Sequence, residues 1–213
     1  MLFNAITGLW VAVGLVIGFS IGPARDLATT PIAFFHVPMA IAMEVAFFMA
    51  AWHGICWLRT RRLHHDAMSL AFAESGAICG LIATATGAVF SRTNWGAYWN
   101  WDPKQVGIVA TLLTYAALFA LRSAIEDEDK QRDLSAVYVI FGLVSAIFWT
   151  FIYPQISKAL SLHPTSVLTQ SDSTFKFALW FNVAGYVMLL VRLAQFRARL
   201  EIAGQRLKEL RWA

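Results

Sequence analysis

Long apolar runs alternate with short polar breaks along the whole chain. Residues 2–24, 105–121 and 134–155 contain no Asp, Glu, Lys or Arg. Each is long enough, or nearly so, to cross a hydrocarbon layer of about 30 Å as a helix. The same pattern, with one or two charges admitted, predicts six spanning helices at residues 3–21, 31–58, 67–90, 105–121, 134–153 and 174–193. The fold expected is therefore all-α: a polytopic membrane helix bundle forming a single integral membrane domain over residues 1–213. The first apolar run lacks a basic leader and a clear small-residue cleavage site, so it reads as a span that stays. The scan for internal repeats finds none that stands out.

Composition agrees with this pattern. The chain is 58% hydrophobic and only 14% charged, against about 25% charged in an ordinary soluble domain. The net charge of +4 does not point to nucleic acid, because the basic residues cluster at span ends rather than on one soluble face. With the N-terminus inside, the inner segments hold 12 of the 17 basic residues and the outer segments hold Arg25, Arg92, Lys104, Lys158 and Lys176. The positive-inside rule then places both termini in the cytoplasm. Cys56 and Cys79 are far apart and form neither C-x-x-C nor C-x-x-C-H. They read as small apolar fillers, and the chain does not carry covalent c-type haem itself.

The candidate chemistry falls on the outer segments, 22–30, 91–104 and 154–173. Residues 91–104 contain Trp95, Tyr98, Trp99 and Trp101 within seven positions, denser than a generic interfacial belt requires. If the segment is helical, Trp95, Trp99 and Asp102 share a face. That face would form an aromatic shelf edged with polar groups, suited to a flat, conjugated, apolar ligand. Asp102-Pro103-Lys104-Gln105 also reads as a helix start, with Asp as N-cap, Pro first, and Gln105 as the reciprocal capping partner. His36 lies near the outer end of the second span, close to Pro38, and His163 lies in the third outer segment. Each alone reads as a hydrogen-bonded structural residue; together, on the face of the aromatic segment, they are a candidate pair of axial ligands for haem iron. His53, toward the inner half of its span, and His64 and His65, in a basic inner loop, stand apart. Glu44 is mid-span and a functional candidate by default, without an assignable role.

Residues 195–213 carry Phe196, Leu200, Ala203, Leu207 and Leu210 at four-three-four-three spacing, with Arg197, Arg199, Arg206, Lys208 and Arg211 elsewhere. This basic amphipathic tail suits a partner helix or an anionic membrane surface, or is simply a solvated extension of the last span.

Trp95-Gly96-x-x-Trp99-x-Trp101-Asp102 resembles the signature of the tryptophan-rich WWD haem-handling family, whose branches include CcmC, CcmF and CcsA. His36-Val37-Pro38 is similar to the element that opens the second span in the CcmC branch, and Ser161-Leu162-His163 to its second histidine region. Six spans and this length resemble that branch most. The resemblance implies haem handling in cytochrome c maturation in a bacterial-type inner membrane. It implies haem b held transiently and non-covalently at the outer face, with His36 and His163 as axial ligands and Trp95, Gly96, Trp99, Trp101 and Asp102 as platform. It also implies presentation of haem to a CcmE-like chaperone, alongside CcmA, CcmB and a small CcmD-like subunit. The chain would then be a delivery factor rather than an enzyme. ATP hydrolysis would belong to CcmA, since no Walker A pattern occurs here. One departure stands out: Pro103-Lys104 follows the Trp-Asp pair, where CcmC proteins often have Ala-Arg. This is closer to CcsA and leaves open a short CcsA-like role in haem attachment. Lys104 would place a cation where a haem propionate could meet it. A haem-bearing electron-transfer subunit is a further alternative, disfavoured because its histidines would lie within the bundle.

Overall fold

The computed structural model describes residues 2–21, 30–163 and 172–212. Most of the outer segment 22–30, with Arg25, and residues 164–171 of the third lie outside them. Among the described residues there are helices and no strands: α1 (Leu2–Ser20), α2 (Thr30–Thr60), α3 (Leu63–Trp95), α4 (Pro103–Ala124), α5 (Glu128–Ile147), a π-helical turn (Phe148–Ile152), the short α6 (Tyr153–Ile156), a 3-10 turn (Lys158–Leu160), and α7 (Ser173–Trp212). Six segments are long and apolar enough to cross a membrane, at Phe3–Ser20, Pro31–Thr60, Leu63–Trp95, Pro103–Ala124, Glu128–Ile156 and Ser173–Leu207. Each contains most of one expected span.

The hairpin of α2 and α3 is the centre of the bundle, flanked by α5 and α7, with α4 resting on α5 and α1 on α7. Small residues permit this close approach, as they do wherever helices pack without water. Ala42, Ala46, Ala50, Ala67, Ala71 and Ala73 are buried at the centre, around a stacked pair of Phe47 and Tyr115 rings 3.5 Å apart. At the periphery, α1 is held to α7 by polar contacts. Trp10 Nε1 donates to the Phe181 carbonyl at 3.0 Å and Asn182 Nδ2 to the Gly14 carbonyl at 3.0 Å. Its other faces expose Phe3, Leu9, Val16 and Phe19, as a lipid-facing helix does.

One end of the bundle collects segments 96–102 and 157–163. The other collects Asn4, the Arg61–Arg62 joint, residues 125–127 and the far end of α7. This second end is stitched by charge. Arg122 forks onto the buried Asp66 at 2.8 and 2.7 Å. Trp57 Nε1 donates to Asp133 at 2.9 Å, and Arg61 pairs with the same carboxylate.

The tail is not a separate helix. It continues α7 without a break, 40 residues in all, or about 60 Å at 1.5 Å per residue. Ala194 and Ala198 are buried, and Arg197 bonds to Glu74 of α3 at 2.8 Å. The stripe of Phe196, Leu200, Ala203, Leu207 and Leu210 lies on the opposite, exposed face. The side chains of Lys208 and Arg211 lie outside the described set.

The π-helical turn has a local cause. Pro154 has no N–H and its ring crowds the carbonyl four residues earlier, so the ladder shifts register before it. The Tyr153 amide bonds instead to the Phe148 carbonyl. The resulting bulge pushes the Trp149 carbonyl toward α4, where Gly107 receives it. A Cβ at Gly107 would sit 2.1 Å from that oxygen.

Candidate functional site

The tryptophan-rich segment is a loop, not the helix that the shared-face arrangement required. Helix α3 ends at Trp95, and Gly96 adopts the left-handed conformation (φ 85) as its C-cap. Glycine is the residue that takes this conformation without steric cost. Trp95 and Trp99 therefore do not stack along one helix. Trp95 turns toward the third segment, its ring 5.0 Å from that of His163 in an edge-to-face contact, and also meets Phe90. Trp99 and Trp101 form their own edge-to-face pair at 5.6 Å, exposed at 36% and 77%. Trp101 is itself left-handed (φ 56). The loop is held from within. Asn100 Nδ2 donates to Ser91 Oγ at 2.7 Å, and the Asn100 amide donates to Gln105 Oε1 at 2.9 Å.

Asp102 is the N-cap of α4, with Pro103 first, as its sequence predicted. The reciprocal partner differs: Gln105 bonds to Asn100 and Tyr98, not back to Asp102. The carboxylate is fully buried and does more than cap. Oδ1 accepts from the Lys104 amide at 2.8 Å and lies 2.9 Å from His163 Nδ1. Oδ2 accepts from Ser161 Oγ at 3.0 Å and from the Leu162 amide at 2.6 Å. One carboxylate thus ties the tryptophan loop, the start of α4 and the second histidine segment together. Burial alone would raise its pKa. The Lys104 amide, His163 and the Leu162 amide outweigh burial and hold the carboxyl below the ordinary carboxylate range. For His163, burial lowers the pKa and the charge of Lys104 pushes the same way, against Asp102, so the ring protonates less readily than free imidazole. At neutral pH the pair is a carboxylate and a neutral imidazole. Nδ1–H faces the carboxylate, leaving Nε2 as the basic nitrogen.

His36 reaches a matching state on different elements. Its Nδ1 lies 2.9 Å from the Ala83 carbonyl and 3.3 Å from Thr86 Oγ1, both on α3. A carbonyl only accepts, so Nδ1 carries the proton, and Nε2 has no partner among the described residues. The ring fits because residue 87 is glycine; a Cβ there would lie 2.8 Å from His36 Cε1. His36 is within electrostatic reach of His163 and of Lys104, which is exposed at the head of α4. The two histidines and the tryptophan loop thus share one end of the bundle. His53, His64 and His65 lie at the other. Glu44 is mid-helix beside Thr150, with Oε1 buried and unpaired among the described residues.

Gly87 and Ala83 had no place in the sequence reading, and Ser161 and Leu162 entered it only as neighbours of His163, not as partners of Asp102. Gly87 carried no signal, since nothing in the chain tells which helix faces His36. Ser161 had a weak one, as a hydroxyl two residues before a histidine.

This arrangement can be set beside known proteins. The whole chain, residues 1–213, matches the family model described as heme exporter protein C (CcmC). Heme exporter protein C of Rhodobacter capsulatus is 34% identical over 214 residues, covering 97% of this chain and 87% of its own length. The Paracoccus denitrificans protein of that name is 33% identical over 207 residues, covering 92% and 83%. The Escherichia coli K12 protein is 26% identical over 197 residues, covering 89% and 78%. Matched along its full length by that family model, and by relatives of that name over most of theirs, this six-span chain belongs to the heme exporter protein C family.

Proposed function

We propose that this chain binds haem at the tryptophan end of the bundle and delivers it for cytochrome c maturation, with His36 and His163 as the iron ligands. The observation that carries the ligand assignment is the shared state of the two rings. Each has Nδ1 2.9 Å from a fixed acceptor, the Ala83 carbonyl or the Asp102 carboxylate, and neither Nε2 has a partner among the described residues. Such outer contacts fix the tautomer and orientation of a metal-binding imidazole. The exposed Trp99 and Trp101 rings offer apolar surface to the porphyrin, and the Lys104 ammonium meets a propionate. Bound between two imidazoles, the iron is held reversibly, as suits a cargo. The recipient in this reading is a CcmE-like chaperone, and the partners are CcmA and CcmB transporter subunits and a CcmD-like subunit; the family match supports it. The match to heme exporter protein C supports this over a short CcsA-like role. The Pro103-Lys104 departure has a local account in the N-cap geometry of α4.

The test is the haem spectrum of the purified chain. A low-spin bis-imidazole spectrum is expected. His36→Gly or His163→Gly should lose it, and added imidazole should restore it by filling the opened position. Trp99→Ala should lower retention roughly three- to tenfold, the worth of one aromatic contact, with no rescue by imidazole. A wild-type low-spin spectrum in both glycine variants without imidazole would refute the ligand assignment.

Gly87→Ala tests the seat of His36 without touching a ligand. The added methyl overpacks the contact by about 1–3 kcal/mol, so haem content should fall by about tenfold while yield and helicity hold. Unchanged haem per chain would show that the ring does not need that position.

Both termini are placed in the cytoplasm, with the haem site on the outer face, from the distribution of basic residues. Cysteines introduced at Thr93 and Ser123 should be labelled from opposite sides of the membrane, Thr93 from outside. The reverse pattern would overturn the orientation.

A further inference from the structure

At the end of the bundle away from the tryptophan loop, three histidines converge. His53 on α2 and His65 on α3 have Nδ1 atoms 3.0 Å apart, so one ring donates to the other. The His64 ring lies 6.2 Å from His53 and 5.6 Å from His65. His64 is exposed and makes no hydrogen bond among the described residues. It lines a groove of about 350 Å³ between the start of α3 and α7, with Met68, Arg192, Gln195, Ala198, Arg199 and Ile202. The α7 members recur every three or four residues, so they form one face of that helix. Met68, Ala198 and Ile202 supply an apolar floor. Arg192 and Arg199 supply two cations about 10 Å apart along the axis. Arg192 donates through Nε and Nη2 to Asn4 at 2.9 and 2.6 Å and through Nη1 to Gln195 at 2.7 Å. A guanidinium has five N–H groups, so two have no partner among the described residues. Asn4 stands in the first turn of α1. The groove therefore opens at the level where the first span leaves the hydrocarbon layer.

The chemistry selects among ligands. Among the described residues no three His, Cys, Asp or Glu side chains close on one point, as a bare metal ion would require. A phosphate head group would use the arginines but has no need of an imidazole. A planar iron tetrapyrrole uses every component: imidazole for the iron, guanidinium for the edge carboxylates, apolar floor for the ring. It is also an amphiphile that gathers at such an interface. We propose that this groove is a second haem site, with His64 as iron ligand and Arg192 and Arg199 on the propionates. It rests on the haem-handling reading above, and in that orientation it faces the cytoplasmic leaflet. The groove is open and at the small end of ligand pockets, so part of the ring stays uncovered and haem is held only briefly. That suits a loading site rather than a store.

The test is a haemin titration of the full chain in nanodiscs of zwitterionic lipid. In the His36→Gly/His163→Gly background, one saturable equivalent with a histidine-ligated spectrum is expected. His64→Ala, at an exposed position, should weaken it by about tenfold or more. Arg192→Gln and Arg199→Gln should each weaken it roughly threefold, as exposed ion pairs do. Arg59→Gln should have no effect. The proposal is overturned if no saturable equivalent is seen, or if His64→Ala leaves it unchanged. It is also overturned if the arginine variants alter only the anionic lipid that co-purifies. Should the double glycine variant keep the wild-type spectrum, the outer ligand assignment fails separately. His64→Ala in the wild-type chain then still reads this groove, as a fall from two equivalents to one.

Discussion

Asp102→Asn should leave a folded chain that no longer holds haem. Oδ1 both caps α4 and faces His163, so an asparagine that turns its NH2 to the ring gives up the one cap bond from the Lys104 amide, worth about 1 kcal/mol, while its carbonyl oxygen keeps the bonds from Ser161 and Leu162. The amide presents N–H to His163 Nδ1 where the carboxylate could only accept. The ring proton then moves to Nε2, the atom proposed to bind iron, and the proposed ligand is lost with the ring still in place. The expected result is at least about a tenfold drop in haem per chain, the equivalent of about 1.4 kcal/mol. Imidazole should rescue it poorly, because His163 still fills the space that the glycine variant vacates. Asp102→Ala should be worse. It leaves the His163 ring, Ser161 Oγ and the Leu162 amide without their shared acceptor. Each buried donor left without an acceptor costs about 1–3 kcal/mol. The measurements are haem stoichiometry and protease sensitivity of the loop around residue 161. A normal haem spectrum in Asp102→Asn would mean that the carboxylate only caps α4 and does not orient His163.

Gly107→Ala should be the most damaging glycine-to-alanine change among the described residues. The new Cβ would be 2.1 Å from the Trp149 carbonyl oxygen, and backbone cannot rotate away as a flexible side chain would. Either α4 lifts off the π-helical turn or the turn reforms. Overpacking of about 1–3 kcal/mol, or more where backbone opposes backbone, should lower the unfolding temperature and the yield. The effect should reach the site as well, since Asp102 heads the same helix and its bonds to segment 161–163 depend on where α4 sits. Gly204→Ala, where no atom lies within 4 Å of the added Cβ, is the matched control. Equal stability of the two variants would show that α4 and the turn do not pack as closely as the structure places them.

The hydrophobic pattern alone determined the six spans, because only a closed backbone ladder inside an apolar helix satisfies its polar groups in lipid. Local chemistry determined the start of α4, since an N-cap followed by Pro needs only neighbouring residues. It also bore on the end of α3. Gly96 is a left-handed C-cap, a local signal that the shared face of Trp95, Trp99 and Asp102 left out of account. The tail was legible as a periodic stripe; that it is one rod with the last span came from the structure.

The candidate site was legible in kind but not in arrangement. The dense tryptophans and the two histidines stood out as residue types. That Asp102 orients His163 depends on bonds between residues about 60 positions apart. That Ala83 and Gly87 seat His36 depends on the register of α2 against α3, and the meeting of Gly107 with Trp149 on that of α4 against the bulge before Pro154. Composition sets which faces are apolar, but not which apolar face meets which. That choice is made by side-chain packing across helices, and here it sets that His36 meets the Ala83 carbonyl and His163 the Asp102 carboxylate.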